Sequence, residues 1–226
     1  MLAAARAGGC VALWDNLRMT SRPYWILVVV LGLAAAGAGA WLAARSAPAP
    51  QLESGTWLGR GPPFGPVALN DDTGAPFGPE RLRGAPALVF FGFTHCPDVC
   101  PATLAQLARA RRESGIAGLR VLFITLDPAR DRAAVLAQYL RAFGPGFLGL
   151  TGSGASIRRL AAANGIAFER VALPGGDYTI DHVAAVILLD GSGHKVAVFT
   201  PPYDAGRLAA DLRRAARWLA PAPAAA

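Results

Sequence analysis

Lysine is what this sequence has least of, and cysteine is scarce too. Lys195 is the only lysine, so the net charge of +7 rests on arginines strewn along the chain. Arg6, Arg18, Arg22 and Arg45 lie in or beside the N-terminal segment, where Asp15 is the only acid, which leaves a net +4 beyond residue 45. The pairs Arg111-Arg112, Arg158-Arg159 and Arg213-Arg214 fall on predicted helix surfaces and read as solvated faces. A basic stripe for nucleic acid is therefore disfavoured, and no nucleic-acid partner is expected. There are only three cysteines, Cys10, Cys96 and Cys100. Internal repeats are missing as well, which argues against a solenoid or an array.

The apolar content is high. A hydrophobic fraction of 53% and a mean hydropathy of +0.35 suit one globular domain plus an unusually apolar extra segment. That segment is Tyr24 to Ala44, which carries no charge and reaches the roughly 20 residues a membrane-spanning helix needs. Tyr24, Trp25 and Trp41 sit at its ends as interfacial aromatics do, and Arg18 and Arg22 precede it. The excess of positive charge on that side puts the N-terminus in the cytoplasm. A cleaved signal peptide is the alternative, because Ala36-Gly37-Ala38 and Ala38-Gly39-Ala40 offer small-residue cleavage patterns. The uncleaved anchor is preferred, since the apolar stretch runs on through Trp41 and Leu42. Either reading exports the main domain. Met19-Thr20-Ser21-Arg22 also makes a conventional short leader, so residues 1–18 are read as an over-extended start. N-terminal sequencing that finds residues before Met19 would refute this. The expected organisation is a cytoplasmic segment (1–23), an anchor (24–44), a proline-stiffened linker (45–56), a domain (57–220) and a frayed tail (221–226).

Within the domain, Val67-Ala68-Leu69 and the turn-rich Asn70 to Gly74 predict a short hairpin. Leu88 to Phe93 reads as a buried strand and Pro101 to Glu113 as a helix with Leu104, Leu107 and Ala108 inward. Leu119 to Leu126 is apolar but for Arg120 and Thr125, as in a strand buried on both faces of a parallel sheet. Asp131 is expected to cap the next helix, which runs to Phe143, and Gly144-Pro145-Gly146 stops it. A strand at Phe147 to Leu150 and a helix from Ala155 to Asn164 follow. Val183 to Leu189 and Val196 to Thr200 flank Asp190-Gly191-Ser192-Gly193 as a hairpin, and Asp204 to Leu219 forms the last helix. The order is βαβα, a small unit, then ββα. It is the order of a thioredoxin-like fold, an α/β architecture with a mixed central sheet flanked by helices.

Chemistry concentrates in Phe91-Gly92-Phe93-Thr94-His95-Cys96-Pro97-Asp98-Val99-Cys100-Pro101, where a buried strand hands over to a helix. Cys10 precedes the apolar segment, so the exported domain owns only Cys96 and Cys100. Residues four apart share a helix face, and a helix N-terminus favours anionic sulfur, so lowered thiol pKa values are expected. In an oxidising compartment the default for such a pair is a local disulfide, although closing so short a loop adds little stability. Thioredoxin-type redox motifs separate their cysteines by two residues, whereas Pro97-Asp98-Val99 makes three here. Two thiolates on one face suit a soft ion such as Cu(I), completed by an imidazole from His95, His182 or His194. His95 is expected to point away from the sulfurs, and His194 to sit exposed in a turn. His182 opens an apolar strand at the sheet end facing the cysteines, and from the residues alone a structural and a ligand role weigh equally. Asp98 reads first as an acid at a helix N-terminus, and Asp127 and Asp131 read first as caps and turn formers, with roles beside the site second.

Together with Leu126-Asp127-Pro128-Ala129-Arg130-Asp131, Gly149-Leu150-Thr151-Gly152 and Tyr178 to His182, this motif resembles the SCO/SenC family of copper chaperones. Ala129 stands where that family usually has glutamate. The resemblance implies a membrane-tethered thioredoxin-like protein that assists assembly of the CuA centre of cytochrome c oxidase. It puts the copper ligands on Cys96, Cys100 and His182, which suits Cu(I), or Cu(II) with an added water or anion. The implied partners are oxidase subunit II and another exported copper chaperone or thiol reductase. The implied location is the inner membrane, with a single pass and the domain on the periplasmic side. Two alternatives stand beside it: a thiol:disulfide reductase that keeps the oxidase cysteines reduced, and a peroxide-reducing enzyme, disfavoured because the usual peroxidatic motif is missing.

Overall fold

The structure is a computed structural model and describes residues 21–45 and 48–221. Cys10, Arg6, Arg18, Met19 and the tail beyond Pro221 lie outside the described residues. The chain divides into two compact units, with the boundary in the sequence after Pro48. The first holds helix α1, Ser21–Arg45. Its stretch Tyr24–Trp41 has a mean hydropathy of 1.8 and is long and apolar enough to cross a membrane. Apolar residues occupy every side of α1, which a helix packing on one core does not require.

The second unit begins at Ala49, inside the stretch expected to be linker. There the chain is already tied down: Gly55–Trp57 form β1 against the C-terminal hairpin, and the amides of Glu53 and Ser54 donate to the buried carboxylate of Asp211. β2 (Leu69–Asp71) and β3 (Pro76–Phe77) make the expected hairpin. β4 (Ala87–Gly92) leads to α2 (Val99–Ser114), β5 (Arg120–Thr125) to α3 (Ala133–Leu140), and β6 (Phe147–Thr151) to α4 (Gly154–Ala163). β7 (Phe168–Ala172), β8 (Tyr178–His182), β9 (Val186–Leu189), β10 (Lys195–Phe199) and α5 (Ala205–Ala215) complete the chain. The main sheet has the order β1-β10-β9-β4-β5-β6-β2-β3. Its centre is β4, buried at every residue and paired parallel to β5 and antiparallel to β9, which explains the unbroken apolar run Ala87 to Phe91.

Three expectations need correction. First, β7 and β8 form a separate two-stranded sheet. Phe168-Glu-Arg-Val-Ala and Tyr178-Thr-Ile-Asp-His flank the turn formers Pro174-Gly175-Gly176-Asp177, a hairpin pattern absent from the expected order. Secondly, His182 does not open the apolar strand; it closes β8, and β9 starts only at Val186. Thirdly, Asp131 does not cap α3. Arg132 occupies that position, and the Asp131 carboxylate turns inward, where buried hydroxyls and an amide outcompete the helix end for it. Asp204 does cap α5, accepting from the amide of Arg207 at 2.8 Å.

Candidate metal centre

Because β4 and β5 run parallel, with Gly92 beside Thr125, both chains leave the sheet at the same end. β9 runs the other way and starts there, with Val186 beside Phe90. The cysteine turn, the loop 126–132 and the link 183–185 therefore meet at the carboxyl ends of the central parallel strands, where α/β sheets commonly place ligands.

Cys96 is half-buried in the turn before α2, and Cys100 lies fully buried in the first turn of the helix. Both are free thiols. The Cys100 amide donates to Cys96 Sγ at 3.3 Å, so the helix end presents a donor to the outer sulfur. For Cys100 itself the expected lowering of the pKa is overturned. Burial pushes its thiol well above the ordinary range, and neighbouring Cys96 and Asp131 push the same way against a backbone hydrogen bond involving Phe93. Asp98 stands exposed at the helix N-cap and makes no side-chain cap bond. Gly92 makes room for the inner sulfur: a Cβ there would stand 3.0 Å from Cys100 Sγ and 2.8 Å from the Phe123 ring.

His182 reaches the same sulfur from the end of β8. Its Nε2 lies 3.7 Å from Cys100 Sγ, and its Nδ1 lies 3.2 Å from the carbonyl of Val183. A carbonyl only accepts, so Nδ1 carries the proton and Nε2 presents a lone pair towards the sulfur. Burial lowers the His182 pKa, opposed by the Val183 carbonyl and Asp181, so the ring is neutral at neutral pH. Phe90 and Phe93 hold the ring, each with its centroid 6.1 Å away. Two ligands at about 2.3 and 2.0 Å from a trigonal metal stand about 3.7 Å apart, which is the separation found between this sulfur and this nitrogen. Among the described residues no three His, Cys, Asp or Glu side chains are already closed round one point.

The other histidines are elsewhere. His95 is half-exposed and turns to Thr94 Oγ1 at 3.1 Å and towards Asp131 at 3.8 Å. His194 follows β9 at the opposite end of that strand from His182. It is less exposed than a turn residue was expected to be, with a buried Nδ1 that makes no hydrogen bond and stands 3.9 Å from Asp190.

The two aspartates of the loop 126–132 are frame residues rather than caps. Asp131 accepts from the Thr94 amide at 2.9 Å, the Thr94 hydroxyl at 2.5 Å and the Thr125 hydroxyl at 2.7 Å, which fixes the start of the cysteine turn. Asp127 is buried and pairs with the Arg130 guanidinium. It also accepts from the Tyr178 hydroxyl at 2.9 and 3.0 Å. One short loop thus holds both the element bearing the cysteines and the element bearing the histidine. Ala129 is exposed and takes no part. Tyr139 of α3 lies close to the site, on the far side of Phe123. It packs on Phe123 with a buried, unbonded hydroxyl, and burial and the nearby Cys100, Cys96 and Asp131 push its pKa up.

The arrangement offers two soft sulfur donors and one neutral imidazole nitrogen at a rim that a partner can approach. Comparison with known proteins leads to the same place. The profile of the SCO1/SenC family matches residues 61–217. The mitochondrial protein SCO2 of Saccharomyces cerevisiae is 36% identical over 145 residues, covering 62% of this chain and 48% of that protein, so the chain spans about half that relative's length. The structure of Arabidopsis thaliana ScoI with copper bound matches with a TM-score of 0.65 and 30% identity, over 68% of this chain and 98% of that one. Bradyrhizobium japonicum ScoI with copper bound matches with a TM-score of 0.61 and 38% identity, over 66% and 97% respectively. These structures share the thioredoxin-like α/β fold expected from the order of elements. With the family's profile spanning most of the second unit and copper-bound members superposing on it, the chain belongs to the SCO1/SenC family.

Proposed function

We propose that this protein is a membrane-anchored copper metallochaperone that takes Cu(I) on Cys96, Cys100 and His182 and delivers it to the CuA site of cytochrome c oxidase subunit II. The observation that carries the reading is the 3.7 Å approach of His182 Nε2 to Cys100 Sγ, with Cys96 Sγ hydrogen-bonded to the Cys100 amide. Copper is cargo here. Cu(I) prefers thiolate and imidazole, and three ligands leave one side for a receiving thiolate. The buried Cys100 sulfur gives up its proton as the metal arrives, so uptake releases protons. The half-exposed Cys96 turn has only to adjust to close the set, and being outermost it is the natural first point of exchange with a partner. Solved relatives carry copper in the same fold, which supports the choice of metal.

In this reading α1 is a single-pass anchor in the inner membrane, residues 1–23 are cytoplasmic, and the unit from Ala49 works on the periplasmic side. Upstream, another exported chaperone or thiol reductase supplies copper or keeps the cysteine pair reduced. The experiment is a Cu(I) titration of the full chain in detergent, wild type against His182→Ala, with free-thiol reactivity measured in parallel. A metallochaperone loses high-affinity copper in the variant while its dithiol chemistry stays as it was. Full retention of copper binding and of oxidase assembly would refute the ligand set and favour the thiol:disulfide reductase.

A further inference from the structure

Among the described strands, β7 and β8 alone stand outside the main sheet. Beneath their hairpin lies a cleft of about 770 Å³ lined by Leu126, Pro128, Ile157, Ile166, Phe168 and Ile180. Ile180 is buried in the core and Phe168 packs against it, and the polar part of the attachment centres on Tyr178. The Tyr178 hydroxyl donates to both oxygens of Asp127, and its carbonyl accepts from Arg130 Nη1 at 3.1 Å. The same Nη1 donates to Asp177 at 3.1 Å, and Arg130 Nε donates to Asp127. The guanidinium carbons of Arg130 and Arg170 lie 3.7 and 3.8 Å from the Tyr178 ring centroid, so two cations must take opposite faces of one ring. Tyr178 begins the strand that His182 ends, about 13 Å away at strand rise. Asp127 belongs to the rigid loop that also fixes the cysteine turn through Asp131.

We propose that Tyr178, pinned on Asp127 and Arg130, is a positioning residue that sets the hairpin where His182 Nε2 meets Cys100 Sγ, and that loosening this pin withdraws the imidazole from bound copper during transfer. The inference rests on the copper reading above. A strand transmits a displacement of one end to the other, and the cleft beneath gives the hairpin room to move without breaking the main sheet. The Cys96–Cys100 pair then keeps the metal until a partner's ligands replace the nitrogen.

The test uses the full chain in detergent. Tyr178→Phe keeps the ring and both stacked guanidiniums and removes only the hydroxyl. Hydrogen bonds to a charged group are worth enough to expect about a tenfold change. The expected result is about tenfold faster amide exchange in 168–172 and 178–183 with β4 and β5 unchanged. Release of Cu(I) to a competing chelator should also be about tenfold faster, with two sulfurs still bound. Arg130→Lys, which loses the forked contacts while keeping the charge, serves if the first variant does not fold, and should shift both readouts the same way. Wild-type exchange and release in the variant would overturn the proposal. So would faster exchange spread evenly over the main sheet, the mark of a merely structural tyrosine. The copper reading itself fails on a different observation: His182→Ala with unchanged nitrogen ligation and unchanged release.

Discussion

Gly92→Ala tests how tightly the inner sulfur is seated. Gly92 ends β4, and an added methyl would stand 2.8 Å from Phe123 Cε2, 3.0 Å from Cys100 Sγ and 3.2 Å from Phe90 Cε1. Ordinary carbon contacts are about 3.5–4.0 Å, so the methyl intrudes by about 0.3–1.2 Å on three sides. Phe123 has little freedom to yield, because β5 is paired on both edges and its ring is packed between Phe90 at 6.2 Å and Tyr139 at 5.9 Å. The group left to move is the Cys100 side chain, and with it the sulfur that faces His182. Overpacking of this kind costs about 1–3 kcal/mol. For a unit of this size, that is a fall in Tm of roughly 2–12 °C. Thermal unfolding of the unit from Ala49, followed by the fluorescence of Trp57 and Trp218, reads the loss. Competition for Cu(I) with a chromogenic chelator reads the displaced sulfur as weaker binding. A variant with stability within about 0.5 kcal/mol of wild type and undiminished copper affinity would refute the argument that Gly92 makes room for Cys100.

Two further outcomes follow from the polar anchors and one from the buried thiol. Asp71→Asn should remove an acid-sensitive contribution. Burial pushes this carboxyl up, but the Thr73 hydroxyl, the Arg81 guanidinium and the amides of Thr73 and Ala75 outweigh it and hold it at about 2. A depressed folded-state pKa stabilises above the unfolded value near 4 and is lost as pH falls towards 2, so between pH 5 and pH 2 the variant should lose about 2 kcal/mol less than wild type by denaturant midpoint, Asp211 contributing alike to both. Asp131→Ala should cost about 2–5 kcal/mol and disorder the cysteine turn, because Thr94 and Thr125 lose their acceptor; amide exchange at residues 94–96 would report it. Finally, because burial keeps the Cys100 thiol protonated at neutral pH, apparent Cu(I) affinity should rise with pH, and calorimetry in buffers of different ionisation enthalpy should show protons released.

Much of the central fold was legible because apolar patterning reports burial directly. Ala87 to Phe91 of β4 and Val121 to Ile124 of β5 are apolar runs, and in the structure both strands are almost wholly buried. The strand-to-helix switch at Cys96 to Pro101 was equally plain. The β7–β8 hairpin was missed for a physical reason: β7 is largely exposed and β8 buries only Ile180, so the two strands carry little core signal, and only the Pro-Gly-Gly-Asp turn and the alternation betray them. That miss put His182 at the wrong end of the wrong strand, although the expectation that it faces the cysteine turn agrees with the observed contact. The thiol pKa was misjudged because the helix end is visible in sequence and the burial opposing it is not. The double duty of Asp127 and Asp131 depends on partners 37 to 51 residues away, which spacing alone does not reveal. The distant histidine became a firm expectation only through the family resemblance.

The central claim is the ligand set, and X-ray absorption on the anaerobically loaded Cu(I) protein addresses it most directly. The account predicts two sulfurs and one nitrogen around copper in the wild type and loss of the nitrogen in His182→Ala. Two sulfurs alone in the wild type, or a nitrogen that survives the substitution, would contradict it.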